Sequence, residues 1–236
     1  MRRLGWVFGS LLLAAAAVTG VPSGAEEGKE SREVKEAVKK LQARYEQTRD
    51  LQADFKQSTK IEGFGTPIMS SGRMYIKKPG RLRWDYLDPN VEEIYVTQND
   101  VMMYVPEHKQ VLIGKLTQMA ASQAPLQLLQ GVGKLDEQFD VEATPDGRGE
   151  GGLPLLTLLP KQSAAHESVR TVVKIVLELQ PKSHFIKRLA IHEVSGNVST
   201  FQFENLKPNS GLKNTLFEFQ IPPGVEVVKA PALSPP

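Results

Sequence analysis

The residues of this 236-residue chain that could do chemistry are four histidines, a pair of adjacent glutamates, a glycine-rich turn and one glycosylation-type triplet. His108, His166 and His184 sit beside turn residues or in loops, and His192 lies in a strand-like run. None has a second His, Cys or carboxylate at the spacing of a metal-ligand set. Glu92 and Glu93 are neighbours, so on a strand they point to opposite faces and cannot act together on one bond. Glu62-Gly63-Phe64-Gly65 lacks the following helix that would cradle a phosphate. Asn197-Val198-Ser199 matches a glycosylation acceptor, but Ser195-Gly196-Asn197 reads better as a hairpin turn. No G-x-S-x-G, H-E-x-x-H or P-loop run occurs. The sequence therefore predicts a protein that is not an enzyme, with no metal and no cofactor. Its chemistry must lie in its apolar residues and in what holds them.

Those residues are organised by two periods. Over 30–50, Val34, Val38, Leu41, Tyr45 and Thr48 recur at helical spacing behind a Ser31 cap, which predicts one amphipathic helix. The period then falls to two. Leu51, Ala53 and Phe55 alternate with polar neighbours, as do Met74 and Ile76, and then Leu82, Trp84 and Tyr86. Pro79-Gly80, Asp88-Pro89-Asn90, Gln98-Asn99-Asp100 and Pro106 to Lys109 are turns between them, and Ile94 and Val96 lie on a further strand. Six short strands in succession make an antiparallel meander. From Leu116 to Gly133 the pattern breaks into two short helical pieces hinged at Pro125, carrying Leu116, Met119, Leu126, Leu128 and Leu129. A second meander follows over Phe139–Ala143, Leu153–Leu159, Thr171–Leu179, Ile186–Val194 and Asn197–Glu204. The glycine-rich stretch Pro145 to Gly152 is expected to be a mobile loop.

Such a chain is an α+β domain, mainly antiparallel β, of about ten or eleven strands. That is too many for a flat open sheet, so the sheet must curl. The helices are too few to fill a large concavity, which points to a ligand cavity. Alternation puts Leu82, Trp84 and Tyr86 on the concave face and Arg81, Arg83 and Asp85 on a solvated outer face. Met74 and Ile76, with Ile94 and Val96, join the predicted cavity lining.

The start of the chain bounds where this domain works. Arg2 and Arg3 precede an apolar run from Leu4 to Val18, and Ser23-Gly24-Ala25 offers a small-residue cut site before Glu26 and Glu27. This is the tripartite form of a signal peptide and is short for a membrane span. The expected organisation is a signal peptide at 1–25, one domain over 26–230 and a disordered tail at 231–236. Without Arg2 and Arg3, the 29 basic and 27 acidic residues become 27 against 27, a neutral chain unsuited to nucleic acid. The sequence has no cysteine, so it offers neither a disulfide nor the residue that carries a bacterial lipid anchor.

Several segments, in order, resemble one family. Lys77-Lys78-Pro79-Gly80-Arg81-Leu82-Arg83-Trp84 is similar to a strand, basic residue, Pro and Trp pattern in the periplasmic outer-membrane lipoprotein carriers called LolA. Phe55-Lys56-Gln57 resembles the family's F-x-Q strand. Gly72-Arg73-Met74-Tyr75-Ile76 resembles its G-x-L-x-[VI] strand, and Pro125-Leu126-Gln127-Leu128-Leu129 its helical lid. Phe217-Glu218-Phe219 with Pro222-Pro223-Gly224-Val225 is similar to its closing F-x-F…P-x-G-V. The resemblance implies an unclosed β-barrel with the 116–133 segment as a lid over a hydrophobic cavity. It implies a monomeric periplasmic carrier of lipoprotein acyl chains. The carrier would receive them from a lipoprotein-releasing ABC transporter of the inner membrane and pass them to a LolB-like outer-membrane acceptor. Lys78 stands where the family often has an Arg that helps control the lid, and Leu82 where it often has a Phe near the cavity edge. The absence of Cys fits the soluble carrier rather than the lipid-anchored acceptor.

The physics of such a task is demanding, because each exposed CH₂ of an acyl chain costs about 0.8 kcal/mol in water. A membrane β-barrel is the first alternative. It would show aromatic girdles that this chain lacks. A carrier or sensor of another lipid or glycolipid on the same scaffold is the second, since an apolar cavity selects weakly between greasy ligands.

Overall fold

The switch from helical to strand periodicity falls a few residues earlier than the sequence pattern suggests. The computed structural model describes residues 24–98, 100–115, 129, 135–161 and 171–229. Helix α1 spans Gly24–Glu46, so Ser31, expected to cap it, lies inside it, and strand β1 already begins at Asp50 (Asp50–Lys60). Val34, Ala37, Leu41 and Tyr45 form the buried stripe of α1. Thr48, read as its last turn, lies beyond it and donates its hydroxyl to the Arg44 carbonyl at 2.8 Å. The Gln47 and Thr48 amides donate to the Ala43 and Tyr45 carbonyls, so backbone and side chain together satisfy the helix end.

Among the described residues eleven more strands follow: β2 (Ile68–Lys77), β3 (Arg81–Asp88), β4 (Glu92–Thr97), β5 (Asp100–Val105), β6 (Gln110–Lys115), β7 (Phe139–Arg148), β8 (Pro154–Pro160), β9 (Val172–Leu179), β10 (Ile186–Glu193), β11 (Val198–Pro208) and β12 (Glu226–Lys229). A one-turn helix, α2 (Leu135–Gln138), precedes β7. All twelve strands join one sheet in the order β12-β6-β5-β4-β3-β2-β1-β11-β10-β9-β8-β7. The sheet is curved and unclosed, and antiparallel throughout except where β12 runs parallel to β6. The two meanders are the runs β1–β6 and β7–β11, and they are stitched together by the long-range pairing of β1 with β11. One contiguous core joins α1 to the same face of both halves, from Leu51 and Trp84 to Leu158, Leu177 and Phe201.

Two expectations need correction. The stretch 145–152 is not a loose loop, because β7 runs on to Arg148 and a 3₁₀ turn occupies Glu150–Gly152. The turn is tied down: Arg148 donates to Glu33 of α1 at 2.6 Å, and Gly149 N–H to the Leu153 carbonyl at 2.8 Å. The outer face of β3 is not solvated either. Asp85 is only 8% exposed, and Arg83 binds it with 2.8 and 3.0 Å hydrogen bonds. The chain after β11 crosses this face, with Leu216 offering its carbonyl to Arg83 at 3.4 Å. Phe219 packs there against Tyr95 and Tyr104, and Phe217 is buried. That F-x-F segment has no strand alternation of its own, so nothing in β3 announced its cover. The expected signal peptide up to residue 23, the tail at 231–236 and His166 lie outside the described residues. No described helix is long and apolar enough to cross a membrane.

Candidate functional site

Strand register decides which side chains share the inner face. Met74 stands opposite Trp84 and Ile76 opposite Leu82, while Gly72 faces Tyr86. On the next strand Leu82 faces Val96 and Trp84 faces Ile94. Directly opposed residues in an antiparallel pair point the same way. Met74, Ile76, Leu82, Trp84, Tyr86, Ile94 and Val96 therefore occupy one face, the one that α1 covers. All but Tyr86 are buried, and Tyr86 is packed against the cluster. Of the predicted lid residues, Leu129 is buried in the same cluster, while Leu116, Met119, Leu126 and Leu128 lie outside the described residues.

Aromatic rings that the alternation of β3 alone did not single out complete this face. Phe55 of β1 lies 4.4 Å from Trp84 between ring centroids and meets Tyr86 edge-on at 5.2 Å. Phe201 and Phe203 of β11 meet Trp84 edge-on at 5.7 and 6.2 Å. Gly72 makes this possible. A Cβ there would fall 2.8 Å from the Phe55 ring and would strike the Asp85 carbonyl. The glycine of the G-x-M-x-I run is thus needed for close approach of ring and backbone.

The face opens into a pocket at each end. At the β2–β3 end, about 190 Å³ lies between Tyr45, Leu51, Ile76, Lys78, Arg81 and Leu129. At the opposite end, about 260 Å³ lies between Gln57, Ile68, Ser70, Tyr86, Ile94 and Met103. Small-molecule sites usually measure about 300–1,000 Å³. Each pocket is smaller than that, and the floor between them is filled by Met74, Leu82, Trp84 and Val96. In place of the single cavity expected from the sequence, two pockets flank these packed side chains.

The first pocket carries the charged residue of interest. Lys78 sits at the end of β2, and its ammonium donates to the carbonyls of Tyr45 and Glu46 in the last turn of α1. A cation at this position satisfies orphan carbonyls and complements the helix dipole. Burial lowers the Lys78 pKa from its ordinary value, and the Glu46 carboxylate draws it partly back.

The second pocket carries a row of neutral polar groups. The Tyr86 hydroxyl donates to Gln57 Oε1 at 2.8 Å, and Gln57 Nε2 donates to Thr59 Oγ1 at 2.9 Å. Burial, and then the nearby Glu92 carboxylate, push the Tyr86 phenol up to about 12; the Trp84 N–H, near the phenol but outside hydrogen-bond geometry, works against them. Tyr86 is therefore an O–H donor at any ordinary pH. Trp84 Nε1 itself is fully buried and has no hydrogen-bond partner among the described residues. Gln57 and Thr59 continue the alternation of Leu51, Ala53 and Phe55, and that period was the signal that could have placed them here. Glu92 borders this pocket while Glu93 reaches Arg83 on the outer face, so the adjacent pair is split as a strand requires. Among the described residues, no three His, Asp or Glu side chains gather as a metal site.

A family model described as the outer membrane lipoprotein carrier protein LolA matches residues 46–220. The chain belongs to the LolA family. Its relatives include the outer-membrane lipoprotein carrier protein of Methylococcus capsulatus, 31% identical over 80% of this chain and 85% of that protein. The corresponding protein of Methylobacillus flagellatus is 27% identical over 82% of this chain and 89% of its own length. The LolA fold extends to an uncharacterized conserved protein of Thermus thermophilus. Its crystal structure superposes with a TM-score of 0.52 at 14% identity, covering 83% of this chain and 98% of that one. For a LolA-family chain the matched span runs from the end of α1 through the F-x-F segment, and so takes in all seven inner-face residues, the second pocket and all of the first but Tyr45.

Proposed function

We propose that this protein carries lipoproteins between membranes by burying their acyl chains on the inner face of its sheet. The observation that carries the reading is the continuous apolar face from Ile76 through Trp84 to Ile94, with a pocket at either end. Membership of a family of outer membrane lipoprotein carriers supports it. The chains enter by displacing packed side chains and the 116–133 segment. Closing again after release recovers the same core contacts, so the protein itself drives unloading. In this reading the precursor is exported and cut after Ala25, and the carrier works as a periplasmic monomer. It takes its load from an inner-membrane ABC transporter and hands it to a LolB-like acceptor.

Lys78 governs the exchange. Its hold on the end of α1 stabilises the closed form by about 0.5–1.5 kcal/mol, and an inserted chain at the first pocket must compete with it. The test is release from membranes. Purified protein is added to inner-membrane spheroplasts making an acylated lipoprotein or its Cys→Ser form. The acylated form should appear in the supernatant in a one-to-one complex, and the unacylated form should not be bound. An acylated lipoprotein that stays in the membrane pellet would contradict the proposal.

A further inference from the structure

The second pocket is more polar than a site for hydrocarbon alone requires. Gln57, Thr59, Ser70 and Tyr86 place hydroxyls and an amide around it, although Phe55, Ile94 and Met103 stand beside them. Polar groups in an apolar site cost free energy unless they are partnered, and they then specify what may bind. The Tyr86 hydroxyl is already spent on Gln57 Oε1, and Thr59 Oγ1 takes one Gln57 N–H and lies 3.4 Å from Ser199 Oγ. What is left to donate is the second Gln57 amide N–H, the Ser70 hydroxyl and the Trp84 indole N–H, which has no partner among the described residues. Among the described residues the lining adds no cation, and Glu92 puts a carboxylate at its border, so the set suits a neutral acceptor rather than an anion.

The mouth of this pocket is greasy. It lies beside the β1–β2 and β3–β4 connections, with Ile68 at the start of β2 and Pro89 and Asn90 in its lining. Ile68 is itself 52% exposed, and the two connections hold the exposed Phe64 and Val91. An apolar rim, a band of neutral donors and an aromatic interior follow one another inward. That sequence reverses twice between apolar and polar, and few ligands match it.

We infer that this pocket holds the acyl linkage of the ligand, the ester or amide carbonyls, while the hydrocarbon runs inward past Phe55 and Trp84. The inference rests on the carrier reading above and gives it a chemical specificity. A carbonyl oxygen accepts from the spare Gln57 N–H and the Ser70 hydroxyl. The displacement of packed rings by the chain brings the Trp84 N–H within reach of an acceptor. An alkyl chain joined through an ether would fill the same space but bring no carbonyl oxygen to these donors.

The experiment compares two synthetic ligands. One is a cysteinyl peptide bearing two palmitoyl esters on an S-glyceryl group, and the other is its dihexadecyl ether counterpart. Binding to the full mature chain is measured by calorimetry for wild type, Tyr86→Phe and Gln57→Leu. Wild type should prefer the ester by about fivefold or more, the worth of one net hydrogen bond. Both variants should lose most of the preference, read as the ratio of the two affinities measured on the same variant. Equal binding of the two ligands by wild type, or a preference that survives both substitutions, would overturn the inference and leave the carrier reading standing. Failure of wild type to bind either ligand would overturn both.

Discussion

At Gly72 a single hydrogen atom stands where any other residue would put a carbon against the Asp85 carbonyl and the Phe55 ring. The position also lies at a register shift between β2 and β3, so the backbone there is already bent to bring the strands close. Gly72→Ala should cost about 1–3 kcal/mol, the usual range for overpacking a core. Urea unfolding measures it, and a stability within 0.3 kcal/mol (about the error of such comparisons) would mean that the strands can part without loss. Lys78 poses the opposite case, a residue whose removal should spare the fold. Lys78→Leu loses the contacts to Tyr45 and Glu46 and adds apolar surface beside the first pocket. The variant should take up acylated lipoprotein as wild type does and pass it poorly to a purified acceptor. Wild-type transfer would reduce Lys78 to a helix-capping lysine. The contact to α1 could not be read from the sequence, since Lys78 and Glu46 are brought together only by the docking of the helix. The seven inner-face residues could be read, because strict alternation beside tight turns permits only one register.

At the scale of elements, ion pairs fasten the outer side of the second meander. Glu178 of β9 accepts from Lys187 at 3.1 Å and lies 2.8 Å from Arg188, both on β10. It also takes the Glu150 amide at 3.4 Å, which pins the 3₁₀ turn. Burial alone would push this carboxyl up, but Lys187, the Glu150 amide and Arg188 outweigh it and hold its pKa below the ordinary 4.5. Protons then bind the unfolded chain first as pH falls through that value. The stabilisation from Glu178 is present above about pH 4.5 and is lost on acidification towards the lower folded pKa. Glu178→Gln should cost about 1–2 kcal/mol at pH 7, a figure held down by the part-exposed cations. Its stability should fall less steeply with acid than that of wild type, so that the two curves converge at low pH. Parallel curves from pH 7 to pH 3 would show that the pair contributes nothing. This network explains why the stretch 145–152 is ordered despite its glycines: its partners lie about 30 residues away, where a local reading of turn residues cannot see them.

For the whole molecule, the strands of both meanders were legible in the sequence, and their joining was not. Turn chemistry marks where each hairpin folds back, whereas the pairing of Leu51 with Pro208 or Phe55 with Phe203 has no local signal. The same holds for β12, a four-residue strand that pairs parallel with β6 after a segment without alternation. The joined sheet is what gives the inner face its depth, because Phe201 and Phe203 reach Trp84 only through the β1–β11 seam. Asp50 helps hold that seam, accepting from Ser210 N–H at 2.7 Å where the chain leaves β11. The central claim is that this face, opened, encloses lipoprotein acyl chains. Native mass spectrometry of the protein taken from cell envelopes tests it most directly. The account predicts a complex whose added mass equals one acylated lipoprotein and that is lost when the lipoprotein's acylated cysteine is replaced. Protein recovered without bound lipoprotein from cells that make it in abundance, or carrying the unacylated form equally well, would contradict it.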